Sequence, residues 1–211
     1  LENFSNLTKL ELSRVTRFTS LEKLCSLKSL MIVLYDEPES LYDSIPLLTN
    51  LTELCLKCLF RELIDANHIL PGMCRLEKLF LLGPGIGNGV LEKMTTLKDL
   101  TLISNKDISN RSIRHLTNLV RLDVQECPRI SSRSISQLSL LKMLRTKDIG
   151  FIDNSLLSLT KLTELSLTVA NCTFGLEELL VLPRLESVSM LGAVIEKETV
   201  KKFWDHGIYL C

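Results

Sequence analysis

The stretch from Leu119 to Leu138, L-V-R-L-D-V-Q-E-C-P-R-I-S-S-R-S-I-S-Q-L, is the tightest constraint on how this chain folds. Leu122 and Val124 alternate with Arg121, Asp123 and Gln125, the period of a strand with one apolar face. Beyond Cys127 the apolar residues Ile130, Ile135 and Leu138 return in a looser rhythm, so the chain turns back. One such unit cannot bury its own apolar edge. It is stable only when stacked on copies of itself.

The copies are present. The template L-x-x-L-x-L starts, with some substitutions, at Leu7, Leu27, Leu51, Leu76, Leu97, Leu119, Leu141, Leu162 and Leu185, at gaps of 20 to 25 residues. Three positions before each start the residue is again apolar, from Phe4 and Leu24 to Leu159 and Leu182, so a second buried row precedes each strand. The register predicts a single domain over residues 1–211 with about nine parallel strands. The connecting segments vary. Residues 61–70 have helical spacing and stop at Pro71-Gly72, and residues 175–182 look helical up to Pro183. Gly83 to Gly89, G-P-G-I-G-N-G, reads as an irregular loop that cannot hold a helix. Residues 196–211 read as a cap: an amphipathic helix with Val200, Phe203 and Trp204, then strand-like Ile208-Tyr209-Leu210. No polar cap precedes Phe4 and Leu7, which predicts that Leu1 begins inside a longer chain or that a partner covers this edge.

These residues resemble the leucine-rich-repeat superfamily over essentially the whole chain. The Leu97 and Leu119 units are similar to its cysteine-containing subclass, with Asn105 and Cys127 in the same slot. The resemblance implies an α/β fold: a right-handed solenoid, or horseshoe, with a concave parallel sheet and short helices or loops on the convex side. It also implies that Asn105 and Cys127 hydrogen-bond neighbouring turns in a ladder. The other repeats place Val15, Tyr35, Leu59, Pro84, Ile149, Ala170 and Ala193 in that slot, so the ladder is expected to be broken.

If the leucines point inward, the residues between them face the concave surface. Met31, Val33, Cys55, Phe80, Leu82 and Ile103 then form an apolar patch over strands two to five, about 15 Å across and rimmed by Lys57, Lys78 and Asp99. A patch of this kind marks either an interaction site or a surface that a loop, a terminal extension or a preceding region covers. Arg121, Lys142, Arg145 and Lys147 form a basic wing beside it that suits an acidic partner segment or is an ordinary solvated face; Asp123 is the exception.

Lysine plus arginine equals aspartate plus glutamate, 25 each, so the electrostatic footprint of a nucleic-acid binder is missing, and no apolar run reaches the length of a membrane span. The seven cysteines are odd in number and scattered, which favours free thiols and an intracellular location. Five N-x-S/T sequons, at Asn3, Asn6, Asn50, Asn110 and Asn171, stand against that reading.

Catalytic and metal chemistry finds little support. Cys55 and Cys58 form one C-x-x-C, but three residues along a strand separate them by about 10 Å, too far for a disulfide, and no second pair completes a zinc site. His68, His115 and His206 fall in separate repeats, and the glycine-rich segment lacks the lysine and hydroxyl of a phosphate-binding loop. No cofactor is expected. The sequence points to a non-enzymatic module that binds a protein or peptide on its concave face. By analogy with the superfamily, the alternatives are the sensor or substrate-receptor part of a ubiquitin-ligase adaptor or intracellular immune receptor, or a regulator of a small GTPase or phosphatase.

Overall fold

A computed structural model of the chain describes residues 4–13, 21, 23–35, 44–58, 65–83, 85–150, 152–168 and 173–210. One parallel sheet runs through it in sequence order. Its strands are β1 (Lys9–Ser13), β2 (Ser29–Leu34), β3 (Glu53–Cys58), β4 (Lys78–Leu82), β5 (Asp99–Ile103), β6 (Arg121–Gln125), β7 (Met143–Lys147), β8 (Glu164–Thr168), β9 (Ser187–Leu191) and β10 (Tyr209–Leu210). Nine strands follow the leucine template. The tenth is built by the tail, with Tyr209 opposite Ser187 and Leu210 opposite Val188.

Each strand pairs in register with the next, so the template leucines form continuous rows: Leu54, Leu79, Leu100, Leu122 and Leu144 are adjacent and at most 2% exposed. Burial of one such side chain contributes about 2 kcal/mol. A parallel sheet covered on both faces reads as a nearly continuous apolar run. Here burial alternates along every strand from β2 to β8, so one face is core and the other is open. Thr146 takes a core position in β7, 1% exposed, with only a long 3.5 Å bond from its hydroxyl to Ser166 O.

A left-handed residue ends many of the strands: Gly83 (φ 86°), Ser104 (61°), Glu126 (54°), Asp148 (49°) and Gly192 (84°). At Gly83 the residue must be glycine on two counts, because a Cβ would also lie 2.7 Å from Cys58 O. The turn aims the amides of Ser104 and Glu126 at Gln125 O and Lys147 O of the next strand, at 3.0 and 2.8 Å.

The return segments hold one-turn helices α1 (Ala66–Ile69), α2 (Asn88–Leu91), α3 (Asn110–Ile113) and α4 (Ser132–Ile135), then 3₁₀ turns at Asn154–Ser158 and Leu176–Val181. One expectation needs correction. Asn88 and Gly89 start α2, although the glycine-rich run was expected to exclude helix; the Gly87 amide at its start is held from the preceding repeat by Asn67, as described below. The helical segment expected over 175–182 is a 3₁₀ helix over Leu176–Val181. Of the helix expected over 61–70, residues 61–64 lie outside the described residues.

At the C-terminal end α5 (Lys197–Asp205) lies over the last 3₁₀ turn, burying Phe203 completely and pairing Lys202 Nζ with Glu177 at 2.8 Å. Ile208 is 3% exposed, whereas Trp204 points out at 69%. At the other end Phe4 is 56% exposed, and Leu7, Leu10 and Leu12 are only half-buried where their counterparts further along are fully enclosed.

Candidate functional site

The open face consists of cross-strand rows fixed by the pairing. One row reads Glu11, Met31, Cys55, Phe80, Thr101, Asp123 and Arg145 across β1 to β7; the next reads Ser13, Val33, Lys57, Leu82, Ile103, Gln125 and Lys147. Met31, Val33, Cys55, Phe80, Leu82 and Ile103 are therefore contiguous, and all six are half-buried. A groove of about 360 Å³ opens over Met31, Cys55, Phe80 and Thr101. Phe80 is not bare: Lys57 Nζ stands 5.1 Å from its ring centroid, a cation–π contact. Burial pushes the Cys55 thiol up, which keeps it protonated and a poor nucleophile at neutral pH.

Charges beside the groove are paired across strands. Lys78 holds Glu53 at 2.5 Å, Arg121 meets Asp99 at 3.5 Å, and Arg145 meets Asp123 at 3.8 Å. The Lys78 ammonium draws the Glu53 carboxyl below its ordinary range, while burial raises the Asp123 carboxyl. The wing anticipated from sequence is consequently not a uniform positive surface. Arg121 and Arg145 are each neutralised by an acid of the preceding strand, and Lys142 sits outside the strand rows, at the entry to β7, lining a separate groove with Lys161 and Arg184. Lys147 is exposed on the sheet.

The slot residues behave differently from each other. Cys127 Sγ lies 3.2 Å from Gln125 O in its own repeat and 3.8 Å from Leu102 O in the preceding one. Asn105 Nδ2 donates to Ile103 O at 3.1 Å within its own repeat, and its Oδ1 is buried without a donor. Val15, Leu59, Pro84 and Ala170 lie outside the described residues.

A polar ladder does join repeats, and it runs through the helix starts. Asn67 Oδ1 accepts the Gly87 amide at 2.7 Å. Asn88 Oδ1 accepts the Ser109 amide at 3.0 Å and the Ser112 hydroxyl at 2.9 Å. Asn110 Oδ1 accepts the Ser131 amide at 2.9 Å and the Ser134 hydroxyl at 2.7 Å, and its Nδ2 donates to Ser131 Oγ at 2.9 Å. Ser132 Oγ donates to Asp153 Oδ1 at 3.0 Å. Each asparagine rung satisfies an amide at the helix start of the next repeat, a group that a short helix otherwise leaves unpaired, and the Asp153 amide likewise donates to Ser132 Oγ at 3.2 Å. Sequence reasoning passed over this ladder, although I-S-N-R-S-I at 108–113 and I-S-S-R-S-I at 130–135 repeat it in register.

The same contacts bear on the sequons. The Asn110 amide is engaged as described, and Asn50 donates to Cys25 O at 2.8 Å while accepting from Arg75 at 3.0 Å. Asn6 is exposed, and Asn3 and Asn171 lie outside the described residues. Cys25, Cys55, Cys58, Cys74 and Cys127 form no disulfide among the described residues; Cys172 and Cys211 lie outside them.

Another groove, about 720 Å³, lies along the turns that follow β3 to β6, lined by Asp65, Gly85, Gly87, Asn105, Asp107 and Glu126 among others. Its acidic lining suits no phosphate, and the Gly87 amide already serves Asn67. Among the described residues no group of three or more metal-ligating side chains converges, and no helix is long and apolar enough to cross a membrane.

No protein-family model and no curated protein matches the chain. Among solved structures it is similar to an internalin C2 from Listeria monocytogenes, at 23% identity over 83% of this chain and 76% of that one, with a TM-score of 0.65. It is also similar to a leucine-rich-repeat (LRR) protein from Leptospira interrogans, at 20% identity over 90% of this chain and TM-score 0.63. A third match, at 20% identity over 88% of this chain and TM-score 0.58, is the TLR13 chain of a TLR13–ssRNA complex. The chain spans half of the Leptospira protein and 28% of the TLR13 chain. Together with the parallel sheet and its leucine rows, these neighbours show that the chain has the leucine-rich-repeat fold.

Proposed function

We propose that the chain is a non-enzymatic binding module that takes a protein or peptide on the open face of its sheet, centred on Met31, Cys55 and Phe80. The observation that carries this reading is the contiguity of six half-buried apolar side chains on the face opposite the core, three of which, Met31, Cys55 and Phe80, line a groove. A rigid sheet loses little conformational freedom on association, so such a face suits recognition. Lys57 is part of the same surface, because it shields Phe80 and must be displaced or engaged by whatever docks there. The odd number and scattered placement of the seven cysteines favour an intracellular location.

Affinity capture from the source cell, run with wild type beside Phe80→Asp, tests the reading. The expected result is a partner lost with the variant, while its melting temperature stays within a few degrees of wild type. A partner retained equally by both moves the site elsewhere, and an unfolded variant returns Phe80 to the core.

A further inference from the structure

Four acidic side chains on and beside the face from β3 to β6 are each engaged by a base on, or just before, the following strand: Glu53 by Lys78, Glu77 by Lys98, Asp99 by Arg121 and Asp123 by Arg145. Within the strands β3 to β7 these pairs use every carboxylate and leave ammonium groups over. Lys28, Lys57, Lys142 and Lys147 have no carboxylate partner among the described residues. Two of them share one row with the apolar patch, which reads Val33, Lys57, Leu82, Ile103, Gln125, Lys147 from β2 to β7. That order is a recognition pattern: an apolar pair with an unmatched ammonium next to it at Lys57 and a second one at Lys147, one strand further on past Gln125.

Taking the concave-face reading above as its basis, we propose that the occupant is an acidic segment of a partner protein that crosses the strands along this row. Two of its carboxylates meet Lys57 and Lys147, and the apolar side chains between them lie on Leu82 and Ile103. The spacing follows from the sheet. Lys57 and Lys147 are four strands apart, roughly 19 Å at about 4.8 Å per strand. An extended peptide covers that distance in about six residues. Beyond the row, the turns carry Glu126 and Asp148, which repel a carboxylate that strays past the strand ends and keep the track on the sheet. Lys57 sits over Phe80 in the unoccupied face, so engaging a carboxylate also uncovers the ring for an apolar contact.

The test uses this chain and an array of synthetic seven-residue peptides in which acidic, neutral and basic residues are placed at the first and last positions around a Leu-Val centre. A single-stranded RNA oligonucleotide is run alongside. Wild type is expected to select the doubly acidic peptides, with affinity falling as salt rises. Lys57→Gln and Lys147→Glu should each weaken that binding about tenfold, and the double variant Lys57→Glu, Lys147→Glu should prefer the basic peptides. Circular dichroism melts confirm that each variant is folded; Lys57→Gln retains the side-chain bulk over Phe80. Selection of neutral or basic peptides by wild type overturns the proposal, as does an RNA that binds and displaces the acidic peptide. If peptides bind and Phe80→Asp abolishes that binding while the lysine variants do not, the acidic chemistry is wrong and the concave-face reading stands. If no peptide binds, or binding ignores Phe80→Asp as well, both fail.

Discussion

Replacing Asn110 by alanine removes the rung that ties α3 to the start of α4. Three contacts go with it: acceptance from the Ser131 amide at 2.9 Å and from the Ser134 hydroxyl at 2.7 Å, and donation to Ser131 Oγ at 2.9 Å. Ser134 is 1% exposed but keeps a weaker acceptor, Ser131 O at 3.3 Å, so its loss is partial. The Ser131 amide is left facing the space that the carboxamide filled. An unpaired, partly buried donor costs about 1–3 kcal/mol, and each ordinary bond about 1 kcal/mol. The total comes to about 3 kcal/mol, equivalent to a fall in Tm of about 6–12 °C for a chain of this size.

Asn105→Ala is the contrast, because Asn105 makes one bond inside its own repeat and its Oδ1 has no donor to lose; about 1 kcal/mol is expected. Asn110→Asp keeps the acceptor oxygen and should lie near that smaller value. Urea unfolding followed by far-ultraviolet circular dichroism gives the ranking from the midpoints. Repeats are coupled mainly to their neighbours, so Asn110→Ala should also lower the m-value as the halves begin to unfold separately. A larger loss for Asn105→Ala than for Asn110→Ala would refute the assignment of the ladder to the helix starts.

Thiol accessibility gives a second check: burial pushes Cys58 up to about 12 and Cys127 to about 11, so at pH 8 Ellman's reagent should label exposed Cys25 and Cys74 quickly and reach Cys58 and Cys127 only in denaturant. Labelling of Cys127 in the folded protein would contradict its placement. Asp148→Gly should raise the urea midpoint by an amount equivalent to about 0.5–1 kcal/mol, since a left-handed backbone penalises an L-residue more than glycine's added freedom does; a fall would mean that Asp148 makes a stabilising contact. Asp123 carries a raised carboxyl pKa, so its charged form is penalised in the fold, and the penalty grows as pH rises through the folded value. Asp123→Asn should therefore stabilise relative to wild type at pH 7 and not at pH 3; an equal shift at both would exclude the charge as the cause.

The strands were legible because one physical requirement repeats in every unit: a leucine at each inward position. Leu54, Leu79, Leu100 and Leu122 give the register directly, and the open-face rows follow by alternation. Two features escaped for different reasons. The ion pairs between Glu53 and Lys78 and between Asp123 and Arg145 are cross-strand neighbours in those same rows, but grouping residues by charge hides pairs that only adjacency reveals. Reading Arg121 and Arg145 as a basic wing was the result. The ladder was hidden by its chemistry. Asn88 and Asn110 look like turn residues in sequence, and their role depends on a serine about 21 residues away, a distance at which no local rule operates.

The division between the two sides of the sheet decides what mutations will report. Continuity between repeats comes from the leucine rows and from the Asn88, Asn110 and Ser132 contacts, all on the core or return side. The open face holds mostly exposed ion pairs, each of the kind that contributes at most about 1 kcal/mol. Changes at Lys57 or Lys147 therefore leave the spine intact, and a loss of affinity there reads as lost recognition rather than lost structure. Phe80 is the intermediate case. Its half-buried ring contacts Lys57 on the open face but lies beside the core residues Leu79 and Leu81, so its variant is interpretable only with its melting temperature in hand. The lysine variants carry the chemical question with less ambiguity, because their ammonium groups face outward and no carboxylate of the described chain depends on them.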